Sequence, residues 1–156
     1  MENIKGIIFD YGGTIDNFGD HWAVTLREAH KAAGLGEVSL EDFIEAYIAG
    51  ERAMAKGGCV TPQSDYRHTM LVKARLELEA LRNKGYDMTD ALLEERAQAV
   101  ADYCDAAARR SVEAAKPVLE HLSKKYKLVL VSNFYGNVAA VIDAYGLTPY
   151  FTDIID

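Results

Sequence analysis

The feature that most constrains the fold is an apolar stretch near the amino terminus, IKGIIFDYGGTID, which spans residues 4–16. Its β-branched and aromatic side chains, up to Phe9, predict a strand that is buried on both faces of a parallel sheet. Asp10 follows this strand directly, and open α/β sheets bind their ligands at the carboxyl ends of their strands. A Gly-Gly pair and a threonine come next, which permit a sharp turn and a close approach of backbone to ligand. The stretch therefore predicts a site suited to phosphate and Mg²⁺ chemistry.

The part of the chain that follows this strand contains helical patterns only. Apolar residues at helical spacing predict four helices, at about Asp20–Ala33, Ser39–Lys56, Ser64–Asn83 and Thr89–Arg109. The second of these begins with a predicted capping box, in which Ser39 covers free amides of the first turn. A helical segment of this length is too long for a plain crossover between strands, so we expect it to form a layer of its own.

From Ser111 onward the pattern returns to alternating helices and strands. We predict, in order, a helix at about Pro117–Tyr126, a buried strand at Leu128–Val131, a short helix ending at Gly146 and the start of a third strand at Tyr150–Ile155. This order predicts parallel strands joined by right-handed crossovers.

These patterns together predict the α/β class, with a Rossmann-like parallel sheet and an inserted all-helical cap. The predicted core comprises residues 1–16 and 111–156, and the predicted cap comprises residues 17–110. We expect hinges between the two at about Asp16–Gly19 and Ala107–Glu113.

The second predicted strand also ends in polar residues, Ser132 and Asn133. Because the carboxyl ends of parallel strands meet at one edge of a sheet, we expect Ser132 to lie level with Asp10. The alternative reading of both residues is an ordinary turn at a strand end.

The two strand ends together resemble motifs I and II of the haloacid dehalogenase (HAD) superfamily, whose first motif is a strand followed by Asp-x-Asp-Gly-Thr. The resemblance implies a HAD-like core with a helical cap and a hydrolase in which Asp10 is the nucleophile, acting on a small phosphorylated metabolite. It implies Mg²⁺ as cofactor, held by Asp10 and by the backbone carbonyl of Gly12. It also implies substrate or phosphate contacts from Gly13, Thr14, Ser132 and Asn133.

Gly12 departs from the family motif, since phosphatase members carry there an aspartate that protonates the leaving group. Loss of a general acid typically costs ~10² to 10⁴ in rate. Three alternatives follow. The leaving group of the substrate needs no acid, as in phosphonate or carbon–halogen cleavage; the cap supplies the acid; or the enzyme has low activity. The alternative function is a catalytically impaired or non-catalytic HAD-fold protein that binds a ligand or partner. For the nearby Asp16 we expect a hinge or helix-start role.

The family's later lysine and acidic pair have no counterpart, by order, before Asp156. We therefore expect an incomplete core, the amino-terminal part of a longer hydrolase. Without further strands, the apolar first strand would form an exposed edge, which promotes pairing between chains. We expect either a homodimer or a missing carboxyl-terminal segment to cover it.

Cap residues select the substrate in this family, which makes several polar or aromatic residues of the helical segment candidates for substrate contact. They are His21, Trp22, Arg52, Lys56, Arg67 and His68. Tyr11 either points to the substrate or packs beneath the cap.

The net charge of −7 disfavours nucleic acid and anionic membranes as partners, since both are bound by clustered Lys and Arg. The sequence shows no signal peptide and no apolar stretch of about 20 residues, so we expect a cytoplasmic protein with a small-molecule substrate. Cys59 and Cys104 are isolated in the sequence, which argues against a disulfide or a zinc site.

Overall fold

The computed structural model describes residues 4–156. Its elements follow in the order β1 (Gly6–Phe9), α1 (Trp22–Ala32), α2 (Leu40–Ala55), α3 (Tyr66–Asn83), α4 (Asp90–Ser123), β2 (Lys127–Val131), α5 (Val138–Ala144) and β3 (Asp153–Ile155). A short 3₁₀ turn, Thr148–Tyr150, precedes β3. Within the described residues, no helix combines the length and the apolar character that a membrane crossing requires.

The three strands form one parallel sheet in the order β1-β2-β3. Because both crossovers move in the same direction along the sheet, the right-handed rule places their helices on the same face. Side chains on that face pack into the core: Leu130 is fully buried, and its register neighbours Phe9 and Ile154 are partly buried. The predicted α/β class, with a parallel sheet and a helical insertion, is confirmed.

The opposite face of the sheet is open within the described part of the chain. Ile8, Val131 and Ile155 are 73%, 42% and 51% exposed. The prediction that the first strand is buried on both faces is therefore wrong for this structure. The reason is topological, because the sequence pattern assumes helices on both faces whereas both crossovers here cover one.

The helical layer consists of α1, α2, α3 and the first part of α4, and its first three helices lie within two residues of their predicted bounds. The caps explain this agreement. The Ser39 hydroxyl accepts a hydrogen bond from the amide of Asp42 at 3.1 Å, and the Asp65 carboxylate accepts one from the amide of His68 at 2.7 Å. Gly34 ends α1 with a φ of 86°, a conformation that favours glycine.

The fourth helix is the main departure from the predicted elements. Helices predicted separately at Thr89–Arg109 and Pro117–Tyr126 form the single helix α4, which contains Pro117 in its interior. An internal proline removes one backbone hydrogen bond and costs about 3 kcal/mol. Buried side chains on both sides of it, such as Val112 and Leu119, offset this cost and keep the helix continuous.

This continuity affects one of the two predicted hinges. The segment Ala107–Glu113 lies inside α4 without a break, and the predicted boundary between residues 110 and 111 falls in the same helix. The division into core and cap stays a prediction. The third strand is also shorter than predicted, because the residues before Asp153 form the 3₁₀ turn and its exit.

Candidate active site

Two polar side chains meet at the carboxyl edge of the sheet. Asp10 directly follows β1 and Ser132 directly follows β2, and the strand register brings both ends level. The Ser132 hydroxyl donates a hydrogen bond to Asp10 Oδ1 at 3.0 Å, although the two residues lie 122 positions apart. The predicted convergence of these side chains is confirmed, while their chemical roles stay predictions.

The loop after Asp10 turns back tightly on itself. The amides of Thr14 and Ile15 both donate to the carbonyl of Tyr11, at 3.1 and 2.9 Å. Gly13 has a φ of 75°, which strains any residue with a side chain. The amide of Tyr11 donates to Asp10 Oδ1 at 2.7 Å, so this carboxylate oxygen accepts two hydrogen bonds and the side chain is held in one orientation.

Asp16 stabilises this turn with its buried side chain. Its Oδ1 atom accepts a hydrogen bond from the amide of Gly13 at 2.7 Å, and only 1% of the residue is exposed. Burial raises the pKa of Asp16 to about 7. The expected helix-start role is wrong, since His21 is the N-cap of α1, and Asp16 instead fixes the shape of the loop beside Asp10. The expected hinge role of Asp16 stays a prediction.

A pocket of about 210 Å³ opens above Asp10. The described residues that line it are Asp10, Gly12, Gly13, His21, Trp22, Tyr47, Ser132, Asn133 and Phe134. It is therefore bounded by both strand ends, by the start of α1 and by the middle of α2. This position allows a small anion bound at the sheet edge to contact the helical layer.

Some of the residues that the sequence indicated as site candidates line this pocket and others do not. His21 and Trp22 line the pocket, together with Gly12, Gly13, Ser132 and Asn133. Thr14 is not among the lining residues. Nor are the cap candidates Arg52, Lys56, Arg67 and His68.

Two of the candidates for substrate contact have structural roles instead. Arg67 donates to Asp102 at 2.6 Å on the outer surface of the helical layer. Tyr11 is fully buried and packs edge-on against Phe134, with ring centroids 5.9 Å apart. Of the two alternatives for Tyr11, the structure shows the packed one.

Sequence patterns missed several residues of the site. Tyr47 lines the pocket from α2, and Phe134 lines it from the loop after β2. Glu51 on α2 and Tyr135 in the same loop line a second pocket, which shares Tyr47 and Phe134 with the first. The loop residues lie within three positions of Ser132, so they could have been predicted from their place at the carboxyl end of β2. No local signal identifies Tyr47 and Glu51, because their spacing of four residues also fits an ordinary buried helix face.

Asp156 positions the loop after β2. Its carboxylate accepts hydrogen bonds from the amide of Phe134 at 3.1 Å and from the amide of Val138 at 2.9 Å. It thereby caps the start of α5, whose own N-cap residue, Asn137, makes no capping bond with its side chain. The residues between Ser132 and α5 are therefore held at the pocket by β3 as well as by β2.

Gly12 leaves usable space in the pocket wall. A Cβ atom at this position would lie 3.5 Å from Trp22 Nε1, which is an ordinary van der Waals distance. Trp22 Nε1 is buried and has no hydrogen-bond partner among residues 4–156. The absence of an acidic side chain at Gly12 is therefore not imposed by crowding.

The donor set of the site is compatible with Mg²⁺. Neither Asp10 Oδ2 nor the carbonyl of Gly12 takes part in a hydrogen bond within residues 4–156. Hard oxygen atoms of this kind are the ligands that Mg²⁺ prefers, and this ion commonly keeps several waters while using one or two carboxylates. Within the same residues, no group of three or more His, Cys, Asp or Glu side chains is arranged to hold a metal ion.

No protein-family model matches the chain, and no curated protein matches it. Among solved structures, it is similar to the HAD-hydrolase YfnB from Bacillus subtilis bound to magnesium, with a TM-score of 0.46 and 14% identity. It is also similar to 2-haloacid dehalogenase from Pseudomonas syringae pv. Tomato DC3000, with a TM-score of 0.43 and 22% identity.

Both likenesses extend over 98% of this chain. The chain spans 63% of the length of the Bacillus structure and 64% of the length of the Pseudomonas structure.

Proposed function

We propose that this chain is a HAD-like hydrolase in which Asp10 is the nucleophile and a small phosphorylated metabolite is the substrate, acting in the cytoplasm. The observation that carries the proposal is the hydrogen bond between Ser132 and Asp10 at the floor of a pocket. It joins, in three dimensions, the two stretches that resemble motifs I and II of the family. Phosphonate and carbon–halogen substrates are alternatives within the same reaction type.

The proposed reaction begins at the carboxylate of Asp10, whose orientation is fixed by hydrogen bonds from the amide of Tyr11 and the hydroxyl of Ser132 to Oδ1. The carboxylate attacks phosphorus, which forms a phosphorus–oxygen bond as the bond to the leaving group breaks. A water then hydrolyses the aspartyl phosphate, releasing phosphate and restoring the carboxylate.

The remaining pocket residues hold the substrate in this proposal. Ser132 and Asn133 contact the phosphate, and Gly13 forms the adjacent wall, with Thr14 following it in the same turn outside the lining. The Gly13 amide already donates to Asp16, so Gly13 acts through its shape and not through its N–H group. Asp10 and the Gly12 carbonyl would hold Mg²⁺, which when bound shields the negative charge that the phosphate brings to the carboxylate.

Replacement of the nucleophile tests the proposal directly. We expect Asp10→Asn to reduce the Mg²⁺-dependent hydrolysis of p-nitrophenyl phosphate by at least about a thousandfold, because an amide does not form the aspartyl intermediate. Asp87→Asn, the same change at an exposed position, is the matched control and should retain the parent rate. Equal rates for the parent chain and Asp10→Asn would remove the aspartyl mechanism.

A second candidate function is a HAD-fold protein that binds a ligand without turnover. Gly12 favours it, since the position of the expected acid carries no side chain although space is available. Trp22 is the single tryptophan of the chain and lines the pocket, so its fluorescence reports ligand binding. A fluorescence response to inorganic phosphate without any hydrolysis would favour this second candidate.

A further inference from the structure

A larger chamber opens beside the Asp10 pocket, and we call it the distal chamber. It has a volume of about 530 Å³ and is lined by His21, Tyr47, Glu51, Ala55, Asn133, Phe134 and Tyr135. Four of these residues, His21, Tyr47, Asn133 and Phe134, also line the Asp10 pocket. A molecule that reacts at Asp10 therefore extends its non-reacting part into the distal chamber, whose volume lies in the range of ligand sites.

Glu51 is the acidic residue in the wall of this chamber, and it is held from two sides. Lys73 on α3, whose side chain is fully buried, pairs with Oε1 of Glu51. The hydroxyl of Tyr135 donates to Oε2 at 2.9 Å. About a third of the Glu51 side chain remains exposed, so a preoriented carboxylate faces the chamber.

The network behind this wall carries no net charge near pH 7. The charges of Lys73 and Glu51 cancel each other. Burial raises the pKa of Glu77 to about 8 and lowers the pKa of His30, so both of these neighbours are mainly uncharged. A charged ligand group therefore finds no opposite net charge to bind.

The site that a ligand cation would take is already occupied. Lys73 Nζ lies 4.5 Å from the centre of the Tyr47 ring, which is the position of a cation–π contact. A second cation would be repelled by this ammonium group. A second anion would meet the carboxylate of Glu51 at the chamber surface.

Uncharged hydrogen-bonding groups fit the same wall well. The Glu51 carboxylate accepts hydrogen bonds, while the phenol of Tyr47 and the amide of Asn133 both donate and accept. The ring of Phe134 offers an apolar surface between these polar groups. Hydroxyl groups on a carbon chain or ring, with C–H surfaces between them, match this alternation.

We propose that the distal chamber binds the uncharged, polyhydroxylated part of the substrate, with Glu51 as a specificity-determining residue. The substrate class is then a phosphate monoester of a sugar or polyol. This inference rests on the proposed function, which provides the phosphate site at Asp10.

Three phosphate monoesters of graded structure test the inference by binding alone. Sorbitol 6-phosphate carries the hydroxyl groups, hexyl phosphate has the same carbon chain without them, and methyl phosphate reports the phosphate site. Titrations with MgCl₂ present follow the fluorescence of Trp22, the single tryptophan. We expect sorbitol 6-phosphate to bind with a Kd roughly tenfold or more below that of hexyl phosphate, the effect of one or two hydrogen bonds.

Glu51→Gln tests the residue that the inference assigns. This variant keeps the volume but replaces one acceptor oxygen with a donor, and we expect the preference for sorbitol 6-phosphate over hexyl phosphate to fall to less than about threefold. Glu41→Gln, an exposed position on the same helix, should retain the full preference. If circular dichroism shows that Glu51→Gln is unfolded, Tyr135→Phe carries the same expectation, because it deletes the hydroxyl that orients Glu51.

The possible outcomes separate the two proposals. Equal binding of sorbitol 6-phosphate and hexyl phosphate would overturn the chamber assignment and leave the phosphate site standing. A preference that survives in folded Glu51→Gln would overturn the role of Glu51. No response to any of the three esters would overturn the phosphate site and the chamber assignment together.

Discussion

The buried hydroxyl of Ser111 donates a hydrogen bond to the carbonyl oxygen of Ile15 at 2.8 Å. The same oxygen atom of Ser111 accepts a hydrogen bond from the amide of Phe18 at 3.0 Å. Phe18 has a φ of 51°, a conformation that costs a non-glycine residue about 1 kcal/mol or more. One side chain of α4 thus fixes the segment that leads from the loop after Asp10 into the helical layer.

We expect Ser111→Ala to lower the free energy of unfolding by about 1–3 kcal/mol, because it leaves a buried carbonyl and an amide without their partner. Urea denaturation followed by circular dichroism measures the change. Ser123→Ala on the same helix is the matched control, since its hydroxyl bonds the carbonyl of Glu120 at an exposed site. A Ser111→Ala variant as stable as the control would show that the segment is held by other contacts.

The raised pKa of Asp16 predicts a specific pH dependence of stability. A folded-state pKa of about 7, against an ordinary value of 3.8, means that the native chain holds this proton more tightly than the unfolded chain. Stability from this group is therefore greatest at low pH and is lost as the pH rises from about 4 through 7. Asp16→Asn removes the titration and keeps an acceptor for the Gly13 amide.

At each pH, the free energy of unfolding of Asp16→Asn is compared with that of the parent chain. We expect this difference to shift in favour of the variant by about 2 kcal/mol between pH 5 and pH 8. Urea denaturation at the two pH values measures this difference. Asp20→Asn, in the exposed part of the same loop, should follow the parent at both. A parallel response of parent and Asp16→Asn would mean that Asp16 titrates near its ordinary pKa.

The space at Gly12 allows the missing acid to be introduced. Gly12→Asp places a second carboxyl near Asp10, whose charge raises the pKa of the new group, and a Cβ atom fits at this position at an ordinary van der Waals distance from Trp22. We expect kcat/KM to rise about tenfold or more for methyl phosphate, whose leaving group needs a proton, and far less for p-nitrophenyl phosphate. Gly12→Asn matches the size of aspartate but carries no acid, and should give no gain. Equal gains from both variants would contradict proton donation at this position.

The open sheet face predicts self-association of the chain. Ile8 is 73% exposed on this face. In addition, β1 pairs only with β2 among the described strands, so its other edge is open to pairing with a second chain. We propose that the chain forms dimers or larger species through this surface, and that Ile8→Lys shifts it towards the monomer. Size-exclusion chromatography with light scattering measures the mass. Val24→Lys adds the same charge on α1 and should leave the association unchanged, whereas a monomeric parent chain would contradict the proposal.

Local chemistry explains which parts of this fold could be predicted from sequence. The Ser39 cap and the Gly34 stop are encoded within a few residues, and the two strand ends meet because parallel register follows from the order of elements. The continuity of α4 could not be predicted, because the local signal of Pro117 is outweighed by packing on either side. The pairing of Glu51 with Lys73 depends on how α2 crosses α3, which no short pattern encodes.

Helix α4, at 1.5 Å per residue, extends for about 50 Å and packs against both the helical layer and β2. A rotation of the helical layer relative to the sheet would therefore bend α4, and the bend is easiest at the turn around Pro117, where one backbone hydrogen bond is missing. The width of the space above Asp10 is thus coupled to the curvature of a single helix.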